Sequence, residues 1–266
     1  MLRKSKYLLI FIAVISLASC TSKFKKILKS NDSEYKFKMA VEYYENEDYF
    51  RSMQLLDELI IIYRGTSKAE KIAYYYSYCY YKMEEYLIAS YHFNQFVKTF
   101  PRSKDAEECL YMAAYCKYMD SPRYNLDQTN THEALKQLQL FINMFPKSKR
   151  VADCNKLIDD LRGKLELKAY DIAKLYFKME EYRAAIHALK TVIKDFPDTD
   201  YKEDILYMVM KSNYLYAVNS IDSKKKERYR NTIDAYNIFS GLFPESKHSK
   251  EARDIYTNST NSLNEL

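Results

Sequence analysis

The sequence predicts an all-α protein, a solenoid of about five helical hairpins closed by a C-terminal capping helix, and three observations predict it. The 266 residues include only three Gly and five Pro, too few turn formers for a sheet protein with many tight turns. Four segments end alike: Thr99-Phe100-Pro101-Arg102-Ser103, Met144-Phe145-Pro146-Lys147-Ser148, Asp195-Phe196-Pro197-Asp198-Thr199 and Leu242-Phe243-Pro244-Glu245-Ser246, with a degenerate fifth copy at Ile62-Tyr63-Arg64-Gly65-Thr66. Their aromatic positions, 63, 100, 145, 196 and 243, are 37, 45, 51 and 47 residues apart, which are periods of a helical array. The intervening segments carry apolar residues at helical spacing, as in Leu55, Leu56, Leu59, Ile60 and Tyr63.

At the N-terminus, Arg3, Lys4 and Lys6 precede an apolar stretch from Tyr7 to Ile15, followed by Leu17-Ala18-Ser19-Cys20. So short an apolar core falls below the roughly 20 residues a transmembrane helix needs, and it reads as a secretory signal over 1–19 that is cleaved. Leu-Ala-Ser-Cys resembles the bacterial lipoprotein cleavage site. The resemblance implies a covalent diacylglycerol and N-acyl chain on Cys20 and no other cofactor. Residues 20–33 then form a lipidated basic tether, in which Lys23, Lys25, Lys26 and Lys29 attract anionic head groups. Thr21 is not Asp, which favours the periplasmic face of the outer membrane. Removing residues 1–20 lowers the formal charge from +6 to +3, so no nucleic-acid partner is implied.

Two larger regions follow, an N-terminal group of repeats 1–3 over 34–149 and a region 150–266 holding a long connecting helix, repeats 4–5 and the capping helix. Glu47-Asp48-Tyr49, Glu84-Glu85-Tyr86 and Glu180-Glu181-Tyr182 mark the inner turns of three hairpins. Pro ends each second helix because it cannot extend one, and the Ser or Thr two residues later can cap the next. Small residues recur where paired helices approach closely: Ala40, Ser77, Ala114 and Ala173 on first helices, Ser52, Ala89, Ala134 and Ala185 on second helices, with Leu56, Phe93, Leu138 and Leu189 as bulky partners. Insertions interrupt the array at 120–130 and 218–230. From Arg150 to Lys178 the pattern runs on as one helix, breakable at Gly163, and 246–263 reads as the polar closing helix.

These positions resemble the tetratricopeptide repeat across about residues 34–263, which implies a right-handed superhelix. The larger second-helix residues Leu59, Phe96, Phe141 and Val192 depart from that pattern and predict looser packing between repeats. Lipobox, five hairpins, the Asp127-Gln128-Thr129 insertion and the long helix together resemble the BamD family of outer-membrane β-barrel assembly lipoproteins. That resemblance implies a non-catalytic scaffold whose partners are a BamA-like barrel protein, docked through its POTRA domains, and unfolded outer-membrane protein substrates, whose C-terminal strands it recognises. A tetratricopeptide lipoprotein coordinating envelope or peptidoglycan synthesis is the alternative. A glycan-capturing lipoprotein fits less well, because the chain has no Trp.

In tetratricopeptide arrays the first helices line the concave side. Counting from each small residue puts Phe37, Val41 and Tyr44, then Tyr74, Tyr78 and Tyr81, then Tyr111, Tyr115 and Tyr118 on that wall. All but Val41 are aromatic, and Tyr combines contact area with a hydrogen-bonding tip, which suits an extended peptide. The competing reading is aromatic filler between stacked helices, since the chain holds 28 Tyr. The basic run Lys224-Lys225-Lys226-Glu227-Arg228 reads as a solvated loop or, alternatively, as a docking surface for an acidic partner. Cys79, Cys109, Cys116 and Cys154 read as buried free thiols, with a Cys79–Cys116 bridge as the pairing left open. No catalytic constellation appears: His92, His132, His187 and His248 are scattered, and Gly occurs only at 65, 163 and 241, which leaves no phosphate-cradling loop.

Overall fold

The computed structural model describes residues 23–266, and these are helical with no strand among them. The signal segment and Cys20 lie outside the described residues. A short helical segment over 23–28 comes first. Eleven longer helices follow: α1 (Ser33–Glu45), α2 (Tyr49–Ile62), α3 (Ala69–Lys82), α4 (Tyr86–Thr99), α5 (Ala106–Met119), α6 (Thr129–Met144), α7 (Val151–Lys178), α8 (Tyr182–Asp195), α9 (Lys202–Val218), α10 (Asp222–Leu242) and α11 (Ser249–Glu265). They form two compact units. One runs to Pro122 and resumes over Gln128–Ile158, and the other comprises Arg123–Asp127 and Asp159–Leu266. The change-over falls inside α7, which continues through Gly163 without a break.

In the first unit each helix packs on the next from α1 to α6; in the second, α8 to α11 do the same. Packing follows the small residues. Ala40, Ser77, Ala114, Ala173, Ser52, Ala89, Ala134 and Ala185 are all buried, as are their partners Leu56, Phe93, Leu138 and Leu189. Close approach is visible in Ser52, whose Oγ donates to the Ala40 carbonyl at 2.8 Å across the first hairpin. Leu59, Phe96, Phe141 and Val192 are buried too, and two of them meet first-helix aromatics: Tyr74 on Phe96 at 6.3 Å and Tyr111 on Phe141 at 5.7 Å between ring centroids.

The inner turns have a shared chemistry. Glu47, Glu84 and Glu180 adopt φ of 61°, 62° and 62°, a left-handed conformation that costs an L-residue roughly 1–2 kcal/mol. Each sits where a Schellman motif requires it: the Glu84 and Glu85 N–H groups donate to the Tyr81 and Tyr80 carbonyls at 3.0 Å, and the other two turns repeat the pattern. These acid pairs are therefore turn residues.

The outer turns depart from expectation. The Ser or Thr of the Phe-Pro punctuation does not cap the following helix, since the N-cap residues Lys68, Asp105, Tyr201 and His248 make no side-chain cap bond. The hydroxyl instead accepts from the N–H two residues on, and at the three Ser turns it donates back to a Glu on the first helix of its own hairpin. Ser103 thus bonds Glu70, Ser148 bonds Glu107 and Ser246 bonds Glu203, each at 2.6 Å. A charged acceptor makes the stronger bond, so the turn is clamped backwards. The basic run also differs from the loop reading. Lys224–Arg228 lies within α10, with Lys225 paired to Asp222 at 2.8 Å and the Arg228 guanidinium 3.7 Å over the Tyr216 ring. Those i,i+3 pairs and that stacking explain the helix.

Cys79, Cys109, Cys116 and Cys154 are free and buried. Burial raises every one of these thiols, Cys79 and Cys154 to about 11 and Cys116 to about 12.

Candidate functional site

The first helices of the first unit carry the aromatic wall. α1 contributes Phe37, Val41 and Tyr44, α3 contributes Tyr74, Tyr78 and Tyr81, and α5 contributes Tyr111, Tyr115 and Tyr118. Eight of these nine are half-buried, and Tyr111 is buried at 8% exposure. Spacing of three and four residues stacks each trio along its helix, as the α-helical turn requires. Tyr74 and Tyr78 lie 4.6 Å apart, Tyr78 and Tyr81 6.2 Å, Tyr111 and Tyr115 6.0 Å, and Tyr115 and Tyr118 6.0 Å. Contacts also bridge repeats: Tyr81 meets Tyr115 edge-on at 6.3 Å.

Repeat one joins the wall through a residue that positional counting passed over. Tyr75 lies 5.0 Å from Tyr44 and 6.1 Å from Tyr74, both T-shaped. The rings from Tyr44 to Tyr118 thereby form one connected series across three hairpins. Phe37 packs beside them against the core around Met39 and Leu55.

Polar tips are partly committed. The Tyr78 hydroxyl donates to Glu108 Oε1 at 2.9 Å, and burial first, then its Tyr74 neighbour and the Glu108 carboxylate, push the Tyr78 phenol well above its ordinary value. Tyr44 is raised as well, mainly by burial. The other Glu108 oxygen pairs with Arg150, whose guanidinium lies 4.1 Å over the Tyr111 ring. Tyr111 is consequently covered by Arg150, while its neighbours Tyr115 and Tyr118 are half-buried.

Arg150 was not singled out from the sequence, yet a repeating signal points to it. It stands two residues past Ser148, and the equivalent residues Tyr201 and His248 in the second unit stack on Tyr170 at 4.3 Å and on Tyr207 at 3.8 Å. In these three repeats the residue two past the punctuating hydroxyl covers the first-helix aromatic of the same repeat. At Arg150 and His248 the Ser–Glu clamp fixes that register.

A cavity of about 680 Å³ lies on the second-helix side of the same unit, between α2 and α4, lined by Ile61, Ala73, Tyr91, His92 and Phe96. Ile61 and Tyr91 are 77% and 58% exposed there. Residues of α3 line it too, among them Ala73, but none of the nine wall residues does. Among the described residues, no group of three His, Cys, Asp or Glu is arranged to hold a metal ion, and no helix is long and apolar enough to cross a membrane.

Comparison with known proteins adds the following. The family described as "YfiO: Outer membrane lipoprotein" matches residues 29–229. An "Outer membrane protein assembly factor BamD" from Buchnera aphidicola subsp. Acyrthosiphon pisum (strain APS) is 29% identical over 103 residues, 39% of this chain and 41% of that protein. The chain thus spans about two-fifths of the length of that curated relative. Among solved structures, the "TPR2AB-domain:pHSP90-complex of yeast Sti1" aligns over 86% of this chain and 98% of its own, with TM-score 0.39 and 11% identity. The TPR domain of P58(IPK) aligns over 91% of this chain and 68% of its own, with TM-score 0.42 and 13% identity.

Proposed function

Because the chain belongs to the YfiO family of outer membrane lipoproteins, we propose that it is a scaffold subunit of the machinery that assembles outer-membrane β-barrel proteins, held at the periplasmic face of that membrane by acyl chains on Cys20. Family membership supports the outer-membrane association, and the BamD relative supports a role in outer-membrane protein assembly. In the finer reading, the chain docks on the POTRA domains of a BamA-like barrel protein. The aromatic wall of its first three repeats receives the C-terminal strands of unfolded barrel substrates, and no step is catalytic.

The observation that carries the groove is the connected series of half-buried Tyr rings from Tyr44 to Tyr118. Partly exposed aromatic side chains contribute contact area at low entropy cost. An extended strand ending in an aromatic residue offers a ring for these side chains and backbone groups for the hydroxyl tips. Glu108 and Arg150 form a neutralised pair at the floor, so the wall favours apolar and aromatic side chains over charged ones.

The test is peptide binding, by fluorescence anisotropy, of a labelled strand with a terminal Phe. Replacing Tyr74, Tyr78 and Tyr81 by Ala should weaken it roughly thirtyfold or more, the scale of an interface hot spot of about 2 kcal/mol. A large loss of thermal stability with unchanged affinity would reduce these rings to filler.

A further inference from the structure

The chain between the proposed acylation site and the folded body is very short. Segment 23–28 is seated on the first hairpin: Ile27 is 2% exposed within the core of Met39, Leu55 and Leu56, and Phe24 and Leu28 pack at its margin. The Phe24 ring meets Tyr43 edge-on at 5.7 Å and lies 5.7 Å from the Arg51 guanidinium. With three residues from Cys20 to Lys23, the tether reaches at most about 11 Å even when fully extended.

The other face of this segment is basic. Lys23, Lys25, Lys26 and Lys29 are all exposed, while its apolar side chains are turned to the core. At the start of α2, Phe50 is 59% exposed and precedes Arg51, whose guanidinium lies over the Phe24 ring. Glu45 and Glu47 at the neighbouring turn are also exposed and oppose the Lys charge, whereas Asp48 is paired with Arg51 at 2.8 Å. Segment 23–29 itself carries four cations and no acid, while exposed Asp32 and Glu42 join Glu45 and Glu47 as the acids around it. The Debye length is about 8 Å at physiological salt, and a tether of this reach holds Lys23 near lipid phosphates.

We propose that segment 23–29, together with Phe50, is a contact surface for an anionic phospholipid bilayer, so that the first hairpin rests against the membrane instead of trailing from its acyl chains. The inference rests on the proposed acylation of Cys20 for its geometry; its chemistry comes from the four Lys and the exposed ring. Lys side chains attract anionic head groups, and an aromatic ring at the head-group level adds an interfacial anchor. Docking of Phe24, Ile27 and Leu28 makes the segment a rigid foot, which orients the first repeat.

The mature acylated protein, with a fluorophore attached through Asn31→Cys beside the segment, is mixed with vesicles of phosphatidylethanolamine and phosphatidylglycerol that contain a head-group quencher. Co-sedimentation reads the acyl anchor, and quenching reads the contact surface. Strong quenching is expected, falling on the order of a hundredfold in docking constant when Lys23, Lys25, Lys26 and Lys29 are all replaced by Gln, and falling likewise in pure phosphatidylcholine. A protein that sediments fully but stays unquenched, or is quenched equally in phosphatidylcholine, overturns the contact surface and leaves the anchor standing. A protein beginning at Thr21, without Cys20 or the signal, that still sediments and is quenched like the parent overturns the anchor and leaves the contact surface standing.

Discussion

Ser148→Ala tests the clamp that sets the outer turns. The Ser148 hydroxyl donates to Glu107 at 2.6 Å and accepts from the Arg150 N–H at 3.1 Å. A hydrogen bond to a charged group contributes about 1.5–3 kcal/mol and a neutral one about 1 kcal/mol. Because Ser148 and Glu107 are only half-buried, the lower end applies, and the substitution should cost about 2 kcal/mol. For a domain of 150–250 residues each kcal/mol moves Tm by about 2–4 °C, so a fall of about 4–8 °C follows. Urea denaturation of Ser148→Ala, Glu107→Gln and the double variant forms a mutant cycle. The double variant should lose less than the sum of the singles by about 1 kcal/mol. Additivity within about 0.5 kcal/mol would refute the clamp. Arg150 should also lose its register over Tyr111, so Ser148→Ala should weaken peptide binding while Ser240→Ala, on exposed α10 surface, leaves it unchanged.

Other consequences follow from backbone and burial. Glu84→Gly should stabilise the first unit by about 0.5–1 kcal/mol, since Gly adopts the left-handed conformation without steric cost; a lower urea midpoint would contradict the strain assigned to this turn. Gly163 has open space around it inside α7, so Gly163→Ala should raise stability by about 1 kcal/mol through helix propensity, as read by thermal melting. The buried thiols Cys79, Cys109, Cys116 and Cys154, with ordinary values of 9.0, and the phenols Tyr44, Tyr76 and Tyr78, with ordinary values of 10.0, are all raised in the fold, chiefly by burial. Their neutral forms are favoured when folded, so their contribution is fully present below pH 9 and is lost as pH rises through the folded values. The urea midpoint should fall progressively above that pH, and the four thiols should react with a thiol reagent only on unfolding. Rapid modification of the native chain below pH 9 would sink this expectation.

Much of the fold was legible because its signals are local. Phe-Pro punctuation, helical spacing and small residues such as Ala40, Ala89 and Ala134 act within one or two turns of chain, and the structure buries them as that reading requires. Function of the punctuating hydroxyls was harder to read. The acceptor of Ser148 is Glu107, two helices back, and no nearby residue announces it. Tyr111 looked like wall for the same reason, since Arg150, which covers it, comes from a distant turn. Lys224–Arg228 read as loop because a polar helix start has no apolar period, yet its charges pair along the helix and Arg228 stacks on Tyr216 of α9. Tyr75 fell outside the three-residue count by one position and still completes the ring series.

The central claim, an outer-membrane lipoprotein that scaffolds β-barrel assembly, is tested most directly by purifying the acylated protein from solubilised outer membrane and identifying what comes with it by mass spectrometry. Stoichiometric recovery of a POTRA-containing barrel protein is the predicted result. Enrichment of cell-wall synthases in its place would contradict the account.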